Sequence, residues 1–184
     1  MSIKNHQIDI LINNAGMQHV APLESFPGDT WKRLIDIMLS GPALLVKATL
    51  PIMHQQNFGR IVNIGSIHSL IASPYKSAYV AAKHGLLGFA KTIALETADR
   101  NITINTICPS YVKTPLVDQQ IASQARENNI PEEQVINEIM LAPMPKKNFI
   151  QLEEICSAVD YLISDGARNM TGQQMVLDGG WTCR

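Results

Sequence analysis

Short runs of β-branched and apolar residues alternate along this chain with longer stretches whose apolar positions recur at helical spacing, the pattern of parallel βαβ units. The first run, Ile8 to Asn13, predicts a buried strand that stops at the turn-forming Asn13-Asn14-Ala15-Gly16. A helix is expected from Asp29 to about Gln56, interrupted at Gly41-Pro42. There Pro42 has no N–H for the carbonyl of Met38, so a kink is expected. Arg60 to Gly65 reads as the second strand and ends at Ser66. The next helix runs from about Lys76 to Ala98, with an apolar stripe through Leu87, Ala90, Ile93 and Ala94. Ile102 to Ile107 is a third strand, followed by Cys108-Pro109-Ser110-Tyr111. Helices over Val117 to Asn128, Pro131 to Leu141 and Leu152 to Leu162 lead to a fourth strand, Gln174 to Leu177, closed by Asp178-Gly179-Gly180. The expected fold class is α/β, a doubly wound parallel sheet in three α/β/α layers.

In an open parallel sheet ligands sit beyond the carboxyl ends of the strands. Asn13 to Gly16, Ser66 with His68, and Pro109 to Thr114 follow three successive strands, so one rim should gather them. Taken singly each has an ordinary reading, since Asn and Gly make turns and Pro stops strands.

Composition narrows the class. The chain has 184 residues, 46% hydrophobic, enough for one domain with a core. Its 15 Lys+Arg against 16 Asp+Glu, with no basic block longer than Lys146-Lys147, gives no reason to expect nucleic acid or an anionic membrane as partner. Cys108, Cys156 and Cys183 show no metal-ligand spacing and read as reduced thiols, so no metal is expected and a cytoplasmic location is. No run reaches the ~18 apolar residues of a membrane span, and no signal peptide is read. His6, His19, His54 and His84 read as surface or packing residues.

Chemistry concentrates at Tyr79 and Lys83, one helical turn apart and therefore on one face. An ammonium beside a phenol lowers its pKa. Moving a tyrosine from ~10 to about 7 takes roughly 4 kcal/mol, a demand suited to one lysine plus a cationic cofactor. Ser66, at a strand end, would donate a hydrogen bond to a substrate oxygen. A Tyr and Lys at this spacing also arise by chance, the lysine snorkelling to water. The neighbouring Ala78, Ala81, Ala82 and Gly85, with Ser66 and the rim motifs, favour the catalytic reading.

Through Asn13-Asn14-Ala15-Gly16, Ser66, Tyr79-Val-Ala-Ala-Lys83, Pro109 and Asp178-Gly179-Gly180, the chain resembles the short-chain dehydrogenase/reductases over essentially its whole length. Asn13-Asn-Ala-Gly-Met-Gln18-His19-Val-Ala-Pro22, Ala72-Ser-Pro-Tyr-Lys76-Ser-Ala-Tyr79-Val-Ala-Ala-Lys83-His84-Gly85 and Thr114-Pro-Leu-Val are similar to the subfamily acting on D-3-hydroxybutyrate. The resemblance implies a partial Rossmann-type sheet in one domain over 1–184, with substrate-loop helices over 113–150. It implies hydride transfer between NAD and (3R)-3-hydroxybutyrate, giving acetoacetate. Tyr79 would be the general base, Lys83 would depress its pKa and hold the nicotinamide ribose, and Ser66 would polarise the reacting oxygen. On the cofactor side, Asn14, Ala15 and Gly16 would lie against the adenosine ribose, with Pro109, Val112 and Thr114 at the nicotinamide and phosphates. Gln18, His68, Lys76 and Gln120 would surround the carboxylate of a small hydroxy acid or keto acid, and Tyr111 and Trp181 would wall off the methyl end. His68 is otherwise a loop cap, Gln120 a solvated helix residue and Trp181 a subunit-contact aromatic. The resemblance also implies a homo-oligomer, usually a tetramer.

Three departures stand out. The family's opening strand, glycine-rich turn and helix have no counterpart here, so the chain is expected to begin at the fourth strand and to lack roughly 70 to 80 residues. That would leave Ile8 to Asn13 as an apolar sheet edge. Met38 stands where the family has an asparagine that supports a proton-relay water, and its freed carbonyl is expected to take over. Ser110 replaces a glycine after Pro109. Two other readings stay open: a reductase of another 3-oxo compound such as an acyl thioester, and a non-catalytic truncated subunit.

Overall fold

Four parallel strands lie side by side in chain order in a computed structural model that describes residues 7–183. They are β1 (Ile10–Asn13), β2 (Gly59–Ile64), β3 (Ile102–Pro109) and β4 (Gln174–Leu177). The domain expectation and the reading of His6 extend to positions outside the described residues. β2 and β3 are buried nearly throughout, as continuous apolar runs covered on both faces must be. β1 starts two residues later than expected and stands at the sheet edge among the described residues, with Ile10 and Ile12 44% and 45% exposed.

Side chains alternate across the sheet, so neighbours on one strand serve different layers. Ile61, Ile102 and Ile104 pack against Val46 and Met53 of α2 (Gly41–Gln56) and Ala90, Ile93 and Ala94 of α3 (Ser77–Glu96). Val62 and Ile107 face the other way, onto Ala158 and Leu162 of α6 (Leu152–Ile163). This is the doubly wound, Rossmann-like architecture expected. Register aligns Asn13 with Asn63 and Asn63 with Thr106, where the Asn13 amide donates to Asn63 Oδ1 at 2.8 Å.

The long helix differs from expectation in an instructive way. α1 (Gly28–Ile35) passes through a π-helical turn, Asp36–Ser40, directly into α2. Gly41 N–H bonds the Asp36 carbonyl, five residues back, and a Cβ at Gly41 would stand 3.0 Å from that same oxygen. The widened turn therefore absorbs Pro42, and glycine is what lets the chain close up there. The whole run Gly28–Gln56 is also long and apolar enough, by length and composition alone, to cross a membrane, contrary to the expectation of no such stretch. In this fold its first part buries Leu34 and Met38 against Ala78 and Ala82 of α3, and its second part buries Val46 and Met53 against the sheet.

Beyond β3 the chain makes an excursion closed at its base by a bridge between Val112 and Ile150. Lys113 N–H bonds the Ile150 carbonyl at 2.8 Å and Ile150 N–H the Tyr111 carbonyl at 3.0 Å. α4 (Pro115–Asn128) is capped by Thr114, whose hydroxyl accepts from Val117 N–H at 3.4 Å, with Pro115 in the first turn where its missing donor costs nothing. The helix expected over Pro131 to Leu141 is α5 (Glu132–Gln134), which then widens into a π-helical segment, Val135–Met140.

Candidate active site

A cleft of about 260 Å³ opens beyond the carboxyl ends of β1, β2 and β3. Its floor is the end of β2. Gly65 N–H bonds the Ile107 carbonyl at 2.7 Å, and a Cβ at Gly65 would meet Thr106 Cγ2 at 2.7 Å, so only glycine lets the strand run this close to β3 before Ser66. Ser66 is extended, and its hydroxyl accepts the backbone N–H of His68 at 3.1 Å while Ser69 Oγ accepts Ser66 N–H at 3.2 Å. These reciprocal bonds fix the hydroxyl at the cleft wall.

α3 delivers Tyr79 and Lys83 to the same wall. Lys83 is 5% exposed, donates to the Ile64 carbonyl at 2.6 Å, and stands with Nζ 5.7 Å from the Tyr79 ring centroid. Burial brings its pKa down to about 8, against an opposing pull from the Cys108 sulfur. Tyr79 departs from the sequence expectation. Burial raises its phenol above the ordinary value, and the hydrogen bond with Ser66 only partly offsets this. Desolvation of the buried phenol sets the direction of the shift, and the neighbouring ammonium is turned to the Ile64 carbonyl.

On the far side of Ser66 lies His68, whose pKa is lowered to about 4 by burial, then by Lys76 and His84. It is therefore neutral, with Nε2 2.7 Å from Ser73 Oγ and Nδ1 3.5 Å from Ser66 Oγ. Its ring meets Tyr79 and Trp181 edge-on, at centroid distances of 5.9 and 6.3 Å. Lys76 is lowered by burial, lies 6.0 Å from the Tyr111 ring centroid, and has no carboxylate partner among the described residues. Trp181 stacks on Tyr111 at 6.1 Å. It is presented by a tight turn in which Asp178 accepts from Gly180 N–H at 2.9 Å and from Thr182 N–H and hydroxyl at 2.7 Å each. Gly179 and Gly180 take φ of +60° and +88°, which explains the pair of glycines.

Gln18 and Gln120 reach the same cleft from β1's trailing loop and from α4, and Asn14, Gly16, Pro109, Val112 and Thr114 line its other side. Ala15 is the one residue proposed from sequence that is not among the lining residues. Met17 and Val117 also line the cleft, although neither carried a role in the sequence reading; Met17 lies within the Asn13-to-Pro22 motif, and Val117 follows from Thr114 capping α4. Ser110 is accommodated by turning its hydroxyl to Met144 Sδ at 3.4 Å. Met38 is buried with Leu34, Ala78 and Ala82, and packs against the half-buried Tyr79 and Met17. Its side chain fills space under the helix of Tyr79 where a polar one would need partners.

Comparison with known proteins agrees with this geometry. A family model described as enoyl-(acyl carrier protein) reductase matches residues 2–182. A D-beta-hydroxybutyrate dehydrogenase of Rhizobium meliloti is 51% identical over 176 residues, 96% of this chain and 68% of that protein. One from Cupriavidus necator is 45% identical over 176 residues, with the same 96% and 68% coverage. Among solved structures, a 4-hydroxyisoleucine dehydrogenase mutant complexed with NADH and succinate superposes with a TM-score of 0.84 at 34% identity, over 96% of this chain and 69% of that one.

Proposed function

We propose a reaction for this chain from the premise that it belongs to the short-chain dehydrogenase/reductase family: the NAD-linked interconversion of (3R)-3-hydroxybutyrate and acetoacetate. The observation that carries the proposal is a cleft holding Ser66, Tyr79 and Lys83 on one side and, on the other, the ammonium of Lys76, which has no carboxylate partner among the described residues. Lys83 has used one of its three N–H donors, on Ile64, which leaves two for the hydroxyls of a nicotinamide ribose. That donor set fits the cofactor, with Asn14, Gly16, Pro109, Val112 and Thr114 as its other holders. NAD, when bound, supplies the hydride acceptor.

In the oxidative direction Tyr79 takes the hydroxyl proton, Ser66 donates to the substrate oxygen as it becomes a carbonyl, and Lys83 stabilises the phenolate. Because burial raises the phenol, lowering it to about 7 needs more than the ~4 kcal/mol of an exposed tyrosine, drawn from Lys83 and the cofactor's positive charge together. Lys76 offers a charge-assisted bond to the substrate carboxylate, with Gln18 and Gln120 beside it, His68 walling that end while its ring nitrogens face Ser66 and Ser73, and Tyr111 and Trp181 closing the methyl end. The succinate complexed with the solved 4-hydroxyisoleucine dehydrogenase mutant supports a carboxylate ligand for a related fold. Association into a homo-oligomer, a tetramer by resemblance, belongs to the same proposal and is supported by Leu44, Leu45 and Leu95, all exposed on α2 and α3. So does a cytoplasmic location.

The test is a comparison of acetoacetate with its uncharged methyl ester, using NADH consumption by wild type and Lys76→Met. The proposal expects Lys76→Met to raise KM for the acid by about tenfold to a hundredfold, the loss of a charge-assisted bond, and to leave the ester unchanged. Equal effects on acid and ester would overturn it, and preferred reduction of a 3-oxoacyl thioester would replace it.

A further inference from the structure

We infer that Ser73 is a positioning residue: by donating to His68 Nε2 it holds the imidazole as its Nδ1–H tautomer and so aims the Ser66 hydroxyl proton into the cleft. The inference rests on the reaction proposed above only for its kinetic consequence.

A neutral imidazole carries one ring proton, and the hydrogen bond at one nitrogen decides which nitrogen carries it. His68 is 5% exposed and its low pKa keeps it neutral. Both ring nitrogens face serine hydroxyls, Nε2 with Ser73 Oγ at 2.7 Å and Nδ1 with Ser66 Oγ at 3.5 Å. The shorter contact is the stronger one, and with Ser73 as its donor Nε2 is the bare nitrogen, Nδ1 carries the proton and Ser66 receives the result. Ser66 Oγ already accepts the His68 backbone N–H at 3.1 Å. If Nδ1 also bears a proton, both lone pairs of Ser66 face donors, and its own proton is left for Tyr79 and the substrate oxygen. If Nδ1 is bare, it draws that proton onto itself, and Ser66 presents a lone pair to an oxygen that needs a donor. Ser73 is half-buried in the otherwise largely exposed loop between Leu70 and Lys76, within reach of His68 and outside the lining of the cleft, so it acts through His68.

The experiment is long-range proton–nitrogen correlation NMR of the chain with ¹⁵N-labelled histidine, the His68 signals being identified as those absent in His68→Asn. The expected result is a protonated Nδ1 and a bare Nε2 in the wild type, moving to Nε2–H in Ser73→Ala. Turnover should fall about tenfold in Ser73→Ala, the worth of one oriented hydrogen bond, with KM unchanged, and Ser73→Thr should restore both tautomer and rate. An Nε2–H tautomer in the wild type overturns the inference without any variant having to fold. So does a Ser73→Ala protein that keeps Nδ1–H, or one that changes KM alone. Because the tautomer is read without turnover, Nδ1–H in a chain that oxidises no hydroxy acid would sink the reaction and leave the orientation standing.

Discussion

Replacing Lys83 by methionine should stabilise the folded chain at neutral pH while removing its activity. Burial takes the ammonium from its ordinary pKa of 10.5 to about 8, with Cys108 opposing. At 1.36 kcal/mol per pH unit that fall corresponds to about 3 kcal/mol. The folded chain holds this proton less tightly than the unfolded one. Below about pH 8 the lysine is charged in both states and the full penalty is present; as pH rises from about 8 to about 10.5 the unfolded chain carries more protons, so stability rises. Lys83→Met removes the penalty but leaves the Ile64 carbonyl without its donor, a cost of about 1–3 kcal/mol. The variant should therefore be more stable by about 1 kcal/mol near pH 7 and less stable by about 2 kcal/mol near pH 10.5, a swing of about 3 kcal/mol. Urea unfolding of both proteins across this range checks it, and taking the difference cancels groups that titrate alike in the two. A difference that stays constant within about 1 kcal/mol from pH 7 to pH 10.5 would refute the reasoning, because it would mean that Lys83 titrates normally.

Three other substitutions probe the neighbourhood. Tyr75, exposed and held at φ +67° beside Lys76, occupies a conformation that asparagine tolerates better; Tyr75→Asn should raise stability by about 1 kcal/mol, read as a higher thermal midpoint. Gly65→Ala should cost about 1–3 kcal/mol in urea unfolding and most of the turnover, since its Cβ would push against Thr106 and the Ile107 carbonyl and displace Ser66. Met38→Asn should lower stability by about 2–4 kcal/mol, because an amide enters the packing of Leu34, Ala78 and Ala82; if the asparagine supports a relay water, turnover rises all the same, and an unchanged rate would show that position 38 has no part in proton transfer.

The strands and the chemistry of α3 were legible in the sequence for a local reason. Apolar runs bounded by turn residues mark buried parallel strands, and an i, i+4 pair shares a face wherever a helix forms. What the sequence could not carry depends on contacts between distant segments. That Lys83 turns to the Ile64 carbonyl, and that burial sets the direction of the Tyr79 shift, both follow from how α3 packs against the sheet. The π-helical turn at Asp36–Ser40 has nearly the same apolar spacing as an α-helix, so periodicity could not show it, and only the missing N–H of Pro42 pointed to a disturbance there. Tyr75 in the left-handed region runs against local preference and is fixed by its loop, where Ala21 N–H bonds its carbonyl at 3.0 Å. The pairing of His68 with Ser73 depends on how that same loop folds back.

Whether the cleft oxidises a hydroxy acid through Tyr79 is decided by the formation of NADH from NAD and (3R)-3-hydroxybutyrate, measured side by side for wild type and Tyr79→Phe. The wild type should turn over, and the variant, which keeps the ring but has no proton to exchange, should lose at least about a hundredfold. Equal rates in the two proteins, or no NADH from the wild type, would contradict the proposed reaction.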